Sequence, residues 1–513
     1  MGCYMICRKV LPFLPLLLLA VFSASCSGPK TPIGCTGANC GAGNGSVAVT
    51  MVADTLPANP SLLSFQVTIA SITFTPASGT ATTVNLSPAL TVDLMRLQTD
   101  TVFLGTFANI PAAQYSSVTL TLSGNANITF LNNSSNTISL CPINTICPLS
   151  LAASSNPVAN VSFAVSQNAV TGIGIDLNFA NAVSISGANL VVNFSNNNVL
   201  SGFTLPRPGS NLAAGQLDLI EDFTGVVSIV NSAVTLNSAT ATGRGSLTAT
   251  TSTSSIFDSD PTTLLCPAGT AQLASCVSNN QAASMDVVLK SDGTLSIQEI
   301  EPLLGTLQDT VEGLVVLINP NNQTQFALVV TDLIPAAQNS LIGSLRIGAG
   351  LNVTISNSVK PFLVDTKGLP LQANFGGNFG SFSGQTNTTA MRLGQTVAVH
   401  VTAFTAAQGT TIASSSSDTV TLRWSRFTAT PTTPFTPNTF NLTGFPSFFA
   451  ASGIVEVQAF SGTPGTRGIT NFDGIADASS LNASKPVALR TLFIENSTNS
   501  AIPAFFAAKV RQH

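Results

Sequence analysis

Apolar and polar side chains alternate along several stretches of the chain. The stretches that show the alternation most clearly are 46–53, 64–75, 115–130, 159–166, 173–179 and 189–194. A period of two places every second side chain in a core and leaves the others in solvent, which is typical of half-buried β-strands. Breaks rich in Pro, Gly, Asn and Ser separate the stretches, as expected for turns. The pattern predicts an all-β protein, with a β-sandwich of the Ig-like or prealbumin-like kind over residues 46–205.

The rest of the chain divides into three units of similar pattern, at 217–301, 302–424 and 425–513. Each unit opens with a strand pair and closes with a V-x-V strand, a loop and a strand that ends in polar or charged residues. A unit of about 100 residues is large enough to bury its own core. We therefore predict three small β-barrel-like repeats, which are separate units that pack at their ends and do not merge into one continuous sheet.

The N-terminus has the pattern of an export signal. Arg8 and Lys9 precede an apolar run at 10–22, and small residues at 23–25 precede Cys26. A positive start, an apolar run and small residues before a cleavage site are typical of a secretory signal peptide. The run is shorter than the roughly 20 residues that a membrane-spanning helix needs. A cysteine directly after the cleavage site is where bacteria attach a diacylglyceryl anchor.

These observations predict a signal peptide at 1–25 and a lipid anchor on Cys26. Residues 26–45 are rich in Gly, Pro, Thr and Asn, and we expect a flexible tether there. Ser23 stands where a bacterial lipobox usually has Leu. Plain secretion and a retained membrane anchor therefore remain open as alternatives.

Beyond Cys26 the chain has six further cysteines, which fall into three close pairs. The pairs are Cys35 with Cys40, Cys141 with Cys147, and Cys266 with Cys276. Close pairs in an exported chain indicate small disulfide loops formed in an oxidising compartment. Cys26 is the odd member of the set, and acylation of its thiol gives it a use.

Charged residues are 8% of the chain, where about 25% is usual, and the net charge is −4. Binding to nucleic acid needs clustered Lys and Arg, so the composition argues against a nucleic-acid partner. The chain has two histidines, and it contains no H-E-x-x-H, G-x-S-x-G or P-loop motif. We predict no enzymatic activity, no metal site and no cofactor.

The sequence also predicts the surroundings of four individual residues. His400 lies between Val399 and Val401 in an alternating strand, which predicts a surface histidine that faces solvent or a polar edge. Glu299 and Glu301 share one strand face, and we expect that face to be solvated. Trp424, the single tryptophan, lies at the junction of the second and third repeats. We expect it to pack between them.

The N-terminal domain resembles the family known as domain of unknown function 4382. The resemblance covers residues 46–205 and follows the order of GSVAVTMVADTLPA, SFQVTIASITFTP and TVDLMRLQTDTVFLGTFANIPAAQYSSVTLTL. The residues that match the family pattern are Asp54, Pro57, Asp93, Leu94, Pro111 and Tyr115. Ala113 or Gln114 replaces the usual glycine of the turn before Tyr115. The resemblance implies an envelope location and a β-fold. It implies no particular function, because the family has no settled activity.

The three repeats resemble domain of unknown function 5666, a small β-barrel repeat of bacterial envelope proteins. The segments that carry this resemblance are MDVVLKSDGTLSIQEIEP, LGQTVAVHVTAFTAAQGTTIASSSSDTVTLRW and VALRTLFIENSTNSAIPAFFAAKVRQH. Together, the two resemblances point to an envelope lipoprotein of acidobacterial type.

The sequence therefore predicts an exported cell-envelope protein with a binding, adhesion or structural role. The expected location is the outer membrane, facing the periplasm or the cell surface, with secretion as the alternative. The expected partners are the membrane, through the lipid anchor, and a surface glycan or protein ligand. A hydrolase or metal-dependent enzyme with a site between domains is the alternative function.

Overall fold

The structure is a computed structural model. It describes residues 43–54, 62–132, 145–186, 189–257, 277–303, 309–336, 338–366, 382–446, 449, 453–462, 468–495 and 503–512. Nearly all regular elements in these ranges are β-strands, so the predicted all-β fold with barrel-like repeats is confirmed. Among the described residues, no helix has the length and apolar character needed to cross a membrane.

The described residues of the N-terminal domain form eleven strands and one short helix. They are β1 (Asn44–Ala53), β2 (Leu62–Pro76), β3 (Thr82–Asp93), β4 (Val102–Pro111), β5 (Ala113–Asn132), β6 (Thr145–Ala152), β7 (Val158–Val165), β8 (Val170–Leu177), α1 (Phe179–Ala182), β9 (Val183–Ser186), β10 (Asn189–Val192) and β11 (Leu200–Thr204).

Nine of these strands form one sheet, and β9 and β10 form a separate hairpin. The order in the large sheet is β3-β2-β5-β7-β11-β8-β1-β4, with β6 added to β5. The sheet folds around a core that contains Phe65, Phe74, Tyr115 and Phe130, each at most 1% exposed. Strands β3 and β4 are the two ends of the sheet order.

Two residues of the family pattern have clear structural roles in this domain. Asp93 ends β3, and its carboxylate accepts hydrogen bonds from the Ser64 hydroxyl and from the backbone N–H groups of Phe65 and Met95. These bonds fix the start of the 3₁₀ turn Arg96–Gln98. The Tyr115 hydroxyl donates to the Pro111 carbonyl at 2.9 Å, which ties the turn between β4 and β5.

The remaining strands form three six-stranded sheets. Barrel 1 contains β12 (Gln216–Val230), β13 (Ala233–Asn237), β14 (Ser246–Thr250), β15 (Ile256–Phe257), β16 (Ala282–Lys290) and β17 (Leu295–Pro302). Barrel 2 contains β18 (Thr310–Ile318), β19 (Gln325–Ile334), β20 (Gly350–Ile355), β21 (Leu363–Val364), β22 (Thr396–Thr405) and β23 (Ala413–Arg423). Barrel 3 contains β24 (Ser425–Thr432), β25 (Thr439–Thr443), β26 (Val455–Gln458), β27 (Asn471–Asp473), β28 (Val487–Glu495) and β29 (Pro503–Arg511).

The three barrels share one topology. In each, the third, second, first, fifth, sixth and fourth strands are neighbours in that order, and a parallel pairing of the third and sixth strands closes the sheet. Closure removes the exposed edges that an open sheet of this size would have. Only Trp424 separates β23 of barrel 2 from β24 of barrel 3, so no flexible linker divides these two units.

Candidate functional site: a buried charge cluster and the cleft beside it

The shared topology allows residues of the three barrels to be compared position by position. The pairs Met285–Ile300, Val397–Leu422 and Leu489–Val510 occupy the same place in the fifth and sixth strands of their barrels. All six side chains are buried in barrel cores. Because successive side chains of a strand point to opposite faces, the residues on either side of each pair project outward from the barrel.

The outward positions next to these core pairs carry different charges in the three barrels. In barrel 1 they hold Asp286, Glu299 and Glu301; in barrel 2, Ala398, Thr421 and Arg423; and in barrel 3, Arg490, Lys509 and Arg511. The first strand continues the series, because Asp222, Glu312 and Arg426 lie beside the fifth strand at the same level. One face is therefore acidic in barrel 1, mixed in barrel 2 and basic in barrel 3.

The acidic face of barrel 1 contacts the basic face of barrel 3. Arg490 donates to Asp222 at 2.9 Å and to Glu221 at 3.0 Å. Arg426 donates to Asp222 at 2.8 Å, and the Lys509 ammonium contacts the second oxygen of Glu221. A bulge in β12 brings this about, since Glu221 and Asp222 together lie opposite one residue of β16 and Asp222 has a φ of 55°.

Barrel 2 joins the same contact. Arg423 pairs with Asp365 at 2.6 Å and with Glu312 at 3.3 Å in its own barrel, and it lies 3.9 Å from Glu301 of barrel 1. Asp332 of β19 accepts a hydrogen bond at 2.7 Å from Arg244 of barrel 1.

The N-terminal domain completes the arrangement through its 3₁₀ turn. Arg96 donates to Asp100 at 2.8 Å, to Asp332 of barrel 2 at 3.2 Å and to the backbone carbonyl of Asp222 at 2.6 Å. Asp100 in turn accepts from Arg426 of barrel 3 at 2.9 Å. All four domains thus meet at one group of ion pairs.

We call this group the central charge cluster. Its members are Arg96, Asp100, Glu221, Asp222, Arg244, Glu301, Glu312, Asp332, Asp365, Arg423, Arg426, Arg490 and Lys509. The three barrels are separate sheets, as expected, but the expectation that they pack at their ends is wrong. Domains far apart in the chain pack side by side, with opposite charges at equivalent strand positions in contact.

The cluster favours the ionised forms of Asp100, Glu221 and Arg490. Burial by itself would raise the pKa of Asp100, but the guanidinium groups of Arg426 and Arg96 outweigh burial and hold that pKa below its usual range. The pKa of Glu221 is likewise lowered, because Arg490 and Lys509 outweigh burial. Burial lowers the pKa of Arg490 less than its carboxylate partners raise it, so its charge is also retained.

A cleft of about 620 Å³ lies beside the cluster, between the N-terminal domain and barrel 1. One wall is formed by β3 and β4, the two end strands of the nine-stranded sheet, and the other by residues of β12, β14 and β17. Barrel 1 contacts both end strands. The Thr91 N–H donates to the Gly243 carbonyl at 2.9 Å, and the Thr106 hydroxyl donates to the Gly293 carbonyl at 3.2 Å.

The cleft has apolar walls and a charged floor. The apolar side chains that line it are Val84, Leu86, Leu90, Val102, Phe103, Phe107, Phe223, Leu247 and Leu295. The floor consists of five cluster members, namely Arg96, Asp100, Glu221, Asp222 and Arg244, and Asp93 also lines the cleft. A cleft of this size with apolar walls and few polar groups is typical of a site for a small ligand.

A second group of titratable residues lies at the far end of β1. Asp54 follows this strand and is half-buried near Asp176, which forms an ion pair with Arg207. Burial, and then the negative charge of Asp176, raise the pKa of Asp54 to about 6. This carboxyl therefore changes its charge between neutral and mildly acidic pH.

Most of the predicted site residues lie outside the described part of the chain. These are Cys26, Cys35, Cys40, Cys141, Cys266 and Cys276. Cys147 is described, in β6, and is 8% exposed. Its predicted partner is not described, so the three disulfides and the lipid anchor stay predictions.

Two of the other expectations need correction. His400 does face away from the core residues Val399 and Val401, but it is 8% exposed and shares a hydrogen bond of 2.6 Å with Asp418, so it is not a surface residue. Glu299 and Glu301 do share a face, yet they are 9% and 3% exposed. That face is buried against the other barrels and is not solvated.

The expectation for Trp424 is confirmed. The side chain is 1% exposed and belongs to the same apolar core as Leu492, Ile494 and Phe506 of barrel 3. It therefore packs between the second and third repeats.

The sequence contained a signal for the cluster that its individual motifs did not reveal. The sixth strands of the barrels end in the segments QEIEP, TVTLR and AAKVR, which carry two acids in barrel 1, one arginine in barrel 2, and a lysine and an arginine in barrel 3. Aligning these ends would have shown two complementary faces.

The fold and the cluster define a class, namely an all-β protein in which an N-terminal open sheet and three closed barrels share one interface. The family model described as Domain of unknown function (DUF4382) matches residues 44–194, which supports the resemblance noted for the N-terminal domain. Neither the curated proteins nor the solved structures contain a significant match to this chain.

Proposed function

We propose that this protein is an exported, lipid-anchored envelope protein whose four β-domains act as one rigid body in a non-catalytic binding or structural role. In this proposal the signal peptide ends at 25, Cys26 carries the lipid, and the protein faces the periplasm or the cell surface from the outer membrane. The three barrels are degenerate copies of the envelope repeat known as domain of unknown function 5666, in a lipoprotein of acidobacterial type.

The central charge cluster carries the proposal of one rigid body. Arg490 is 2% exposed and bonds to two buried carboxylates of barrel 1, and Asp222 is bonded by two arginines of barrel 3. Removing one partner would leave an uncompensated buried charge, a loss that costs about 3–5 kcal/mol. Charges held in this way serve to fix the domains relative to one another.

The predicted export signal ends directly before Cys26, which supports the proposal that this cysteine carries the lipid anchor. The cysteine pairs in the sequence fit an oxidising compartment, and three predicted disulfides belong to the same proposal. The low charge content agrees with a protein that does not bind nucleic acid.

Mass spectrometry of the N-terminal peptide tests the anchor. Protein is expressed in a bacterial host, recovered from the membrane fraction and cut with chymotrypsin. We expect a peptide that begins at Cys26 and carries the diacylglyceryl mass, and we expect Cys26→Ser to abolish both the lipid and membrane retention. Cys35→Ser is the matched control and should keep both. An unmodified peptide from the wild-type chain would contradict the proposed anchor.

A further inference from the structure

The cleft between β3, β4 and barrel 1 has the features of a ligand site. Residues 84–93 of β3 line it without interruption. Consecutive residues point to opposite faces, so an uninterrupted lining means that the edge of the strand borders the cleft. The half-buried side chains of Val84, Leu86, Leu90 and Phe107 pack against the domain core and also face the cleft. They form an apolar surface that continues from the core.

The charges of the floor are not equally compensated. Asp100, Glu221 and Asp222 each contact two cationic side chains. Arg244 has a single carboxylate partner among the described residues, Asp332, and shares it with Arg96.

Asp93 is a second acid near Arg244, but it does not add a partner for the Arg244 guanidinium. Its carboxylate already accepts hydrogen bonds from the Ser64 hydroxyl and from the backbone N–H groups of Phe65 and Met95. Burial outweighs the attraction of Asp332 and lowers the pKa of Arg244, whereas carboxylates raise the pKa of Arg96. Arg244 is thus the floor cation that would gain most from a further anion.

We propose that this cleft binds an anionic amphiphile, in which an unbranched acyl chain lies along the apolar wall of β3 and β4 and a carboxylate pairs with Arg244. The Nη1 and Nη2 groups of Arg244 already donate to Asp332 and to the Thr331 carbonyl, so the ligand carboxylate would accept from their remaining N–H groups. Such charge-assisted hydrogen bonds are strong when partly shielded from water. Arg244 is 13% exposed, so it is shielded yet accessible from the cleft. The ligand class goes beyond the proposed function, and it does not depend on the lipid at Cys26.

Photolabelling of the full chain tests this assignment. The probe is a decanoic acid that carries a diazirine on its chain, and labelled peptides are mapped by mass spectrometry. We expect saturable labelling within residues 84–107 and 244–248. Unlabelled decanoate should compete for the site, and decylamine should compete at least tenfold more weakly because its head group is cationic.

Three variants separate the contributions of charge and shape. Arg244→Gln should raise the half-competing concentration of decanoate at least tenfold, and Arg244→Lys should restore part of the loss. Ser246→Trp fills the cleft from β14 without removing a charged residue, and should abolish specific labelling. Arg346→Gln removes an exposed arginine of barrel 2 and is the matched control. Circular dichroism of each variant establishes that it is folded.

Equal competition by decylamine, or unchanged competition in a folded Arg244→Gln variant, would overturn the assignment of an anionic ligand. Absence of saturable labelling in the cleft would overturn the site itself. The same labelling of a Cys26→Ser chain keeps this result separate from the outcome of the anchor experiment.

Discussion

At the scale of single residues, Arg490 connects barrels 1 and 3, the two repeats that are farthest apart along the chain. It bonds at the same time to Glu221 and Asp222, which lie 269 and 268 positions away in the chain. Both bonded carboxylates belong to barrel 1, so these two ion pairs require contact between barrels 1 and 3. A residue of this kind is a sensitive point at which to test the interface.

Arg490→Met is expected to lower the free energy of unfolding by about 3–5 kcal/mol, because two buried carboxylates lose a partner. Urea unfolding followed by circular dichroism measures the effect. Arg346→Met, an exposed substitution of the same type, should change stability by less than about 0.5 kcal/mol. A loss below 1 kcal/mol in Arg490→Met would show that the ion pairs do not hold the barrels together.

Asp54 predicts a dependence of stability on mildly acidic pH. Its pKa in the folded protein is about 6, above its ordinary value of 3.8. The folded state therefore binds a proton more tightly than the unfolded state, and stability rises as pH falls from 7 toward 5. Asp54→Asn should be more stable than the wild type at pH 7 and should show a smaller rise toward pH 5.

The cluster carboxylates give the opposite sign at lower pH. The pKa values of Asp100 and Glu221 are lowered by folding, so their contribution is present above about pH 4 and is lost as pH falls further. Urea titrations at pH 7, 5 and 3 should therefore pass through a maximum near pH 5. A steady decline from pH 7 downward would contradict the role given to Asp54.

At the scale of elements, the strands were predictable but their partners were not. Alternation at 46–53, 64–75 and 115–130 predicted strands that the structure places at β1, β2 and β5, with limits within about two residues. The alternation of apolar and polar side chains shows that one face of a strand packs in its own barrel core. The pattern is the same whether the opposite face contacts solvent or another barrel. For that reason Glu299 and Glu301 looked solvated although they are buried.

The junction of β23 and β24 is the shortest connection between two barrels. Trp424 fills the space between them, with Leu492 and Phe506 of barrel 3 in the same core. Trp424→Ala should lower stability by about 3–5 kcal/mol, as for other large-to-small changes at buried aromatic residues. Circular dichroism is the suitable probe, since the variant has no tryptophan. A loss below 1 kcal/mol would mean that the junction contributes little to docking.

At the scale of the whole molecule, the charges of a chain that has few of them are concentrated where four domains meet. Charged residues make up 8% of the sequence, yet ion pairs at the cluster link every domain to at least two others. Long sequence separations hid this arrangement, because the acidic and basic faces are carried by different repeats. Which of these charged positions are equivalent follows from the strand registers.

The coincidence of two unfolding probes tests the central claim that the domains form one body. Trp424 is the only tryptophan, so its fluorescence reports the junction of barrels 2 and 3, while circular dichroism reports all strands. We predict that both signals follow one urea transition in the wild-type chain, and that this shared transition moves to lower urea concentration in Arg490→Met. Separate transitions in the wild type, or coincident and unshifted ones in the variant, would contradict the account.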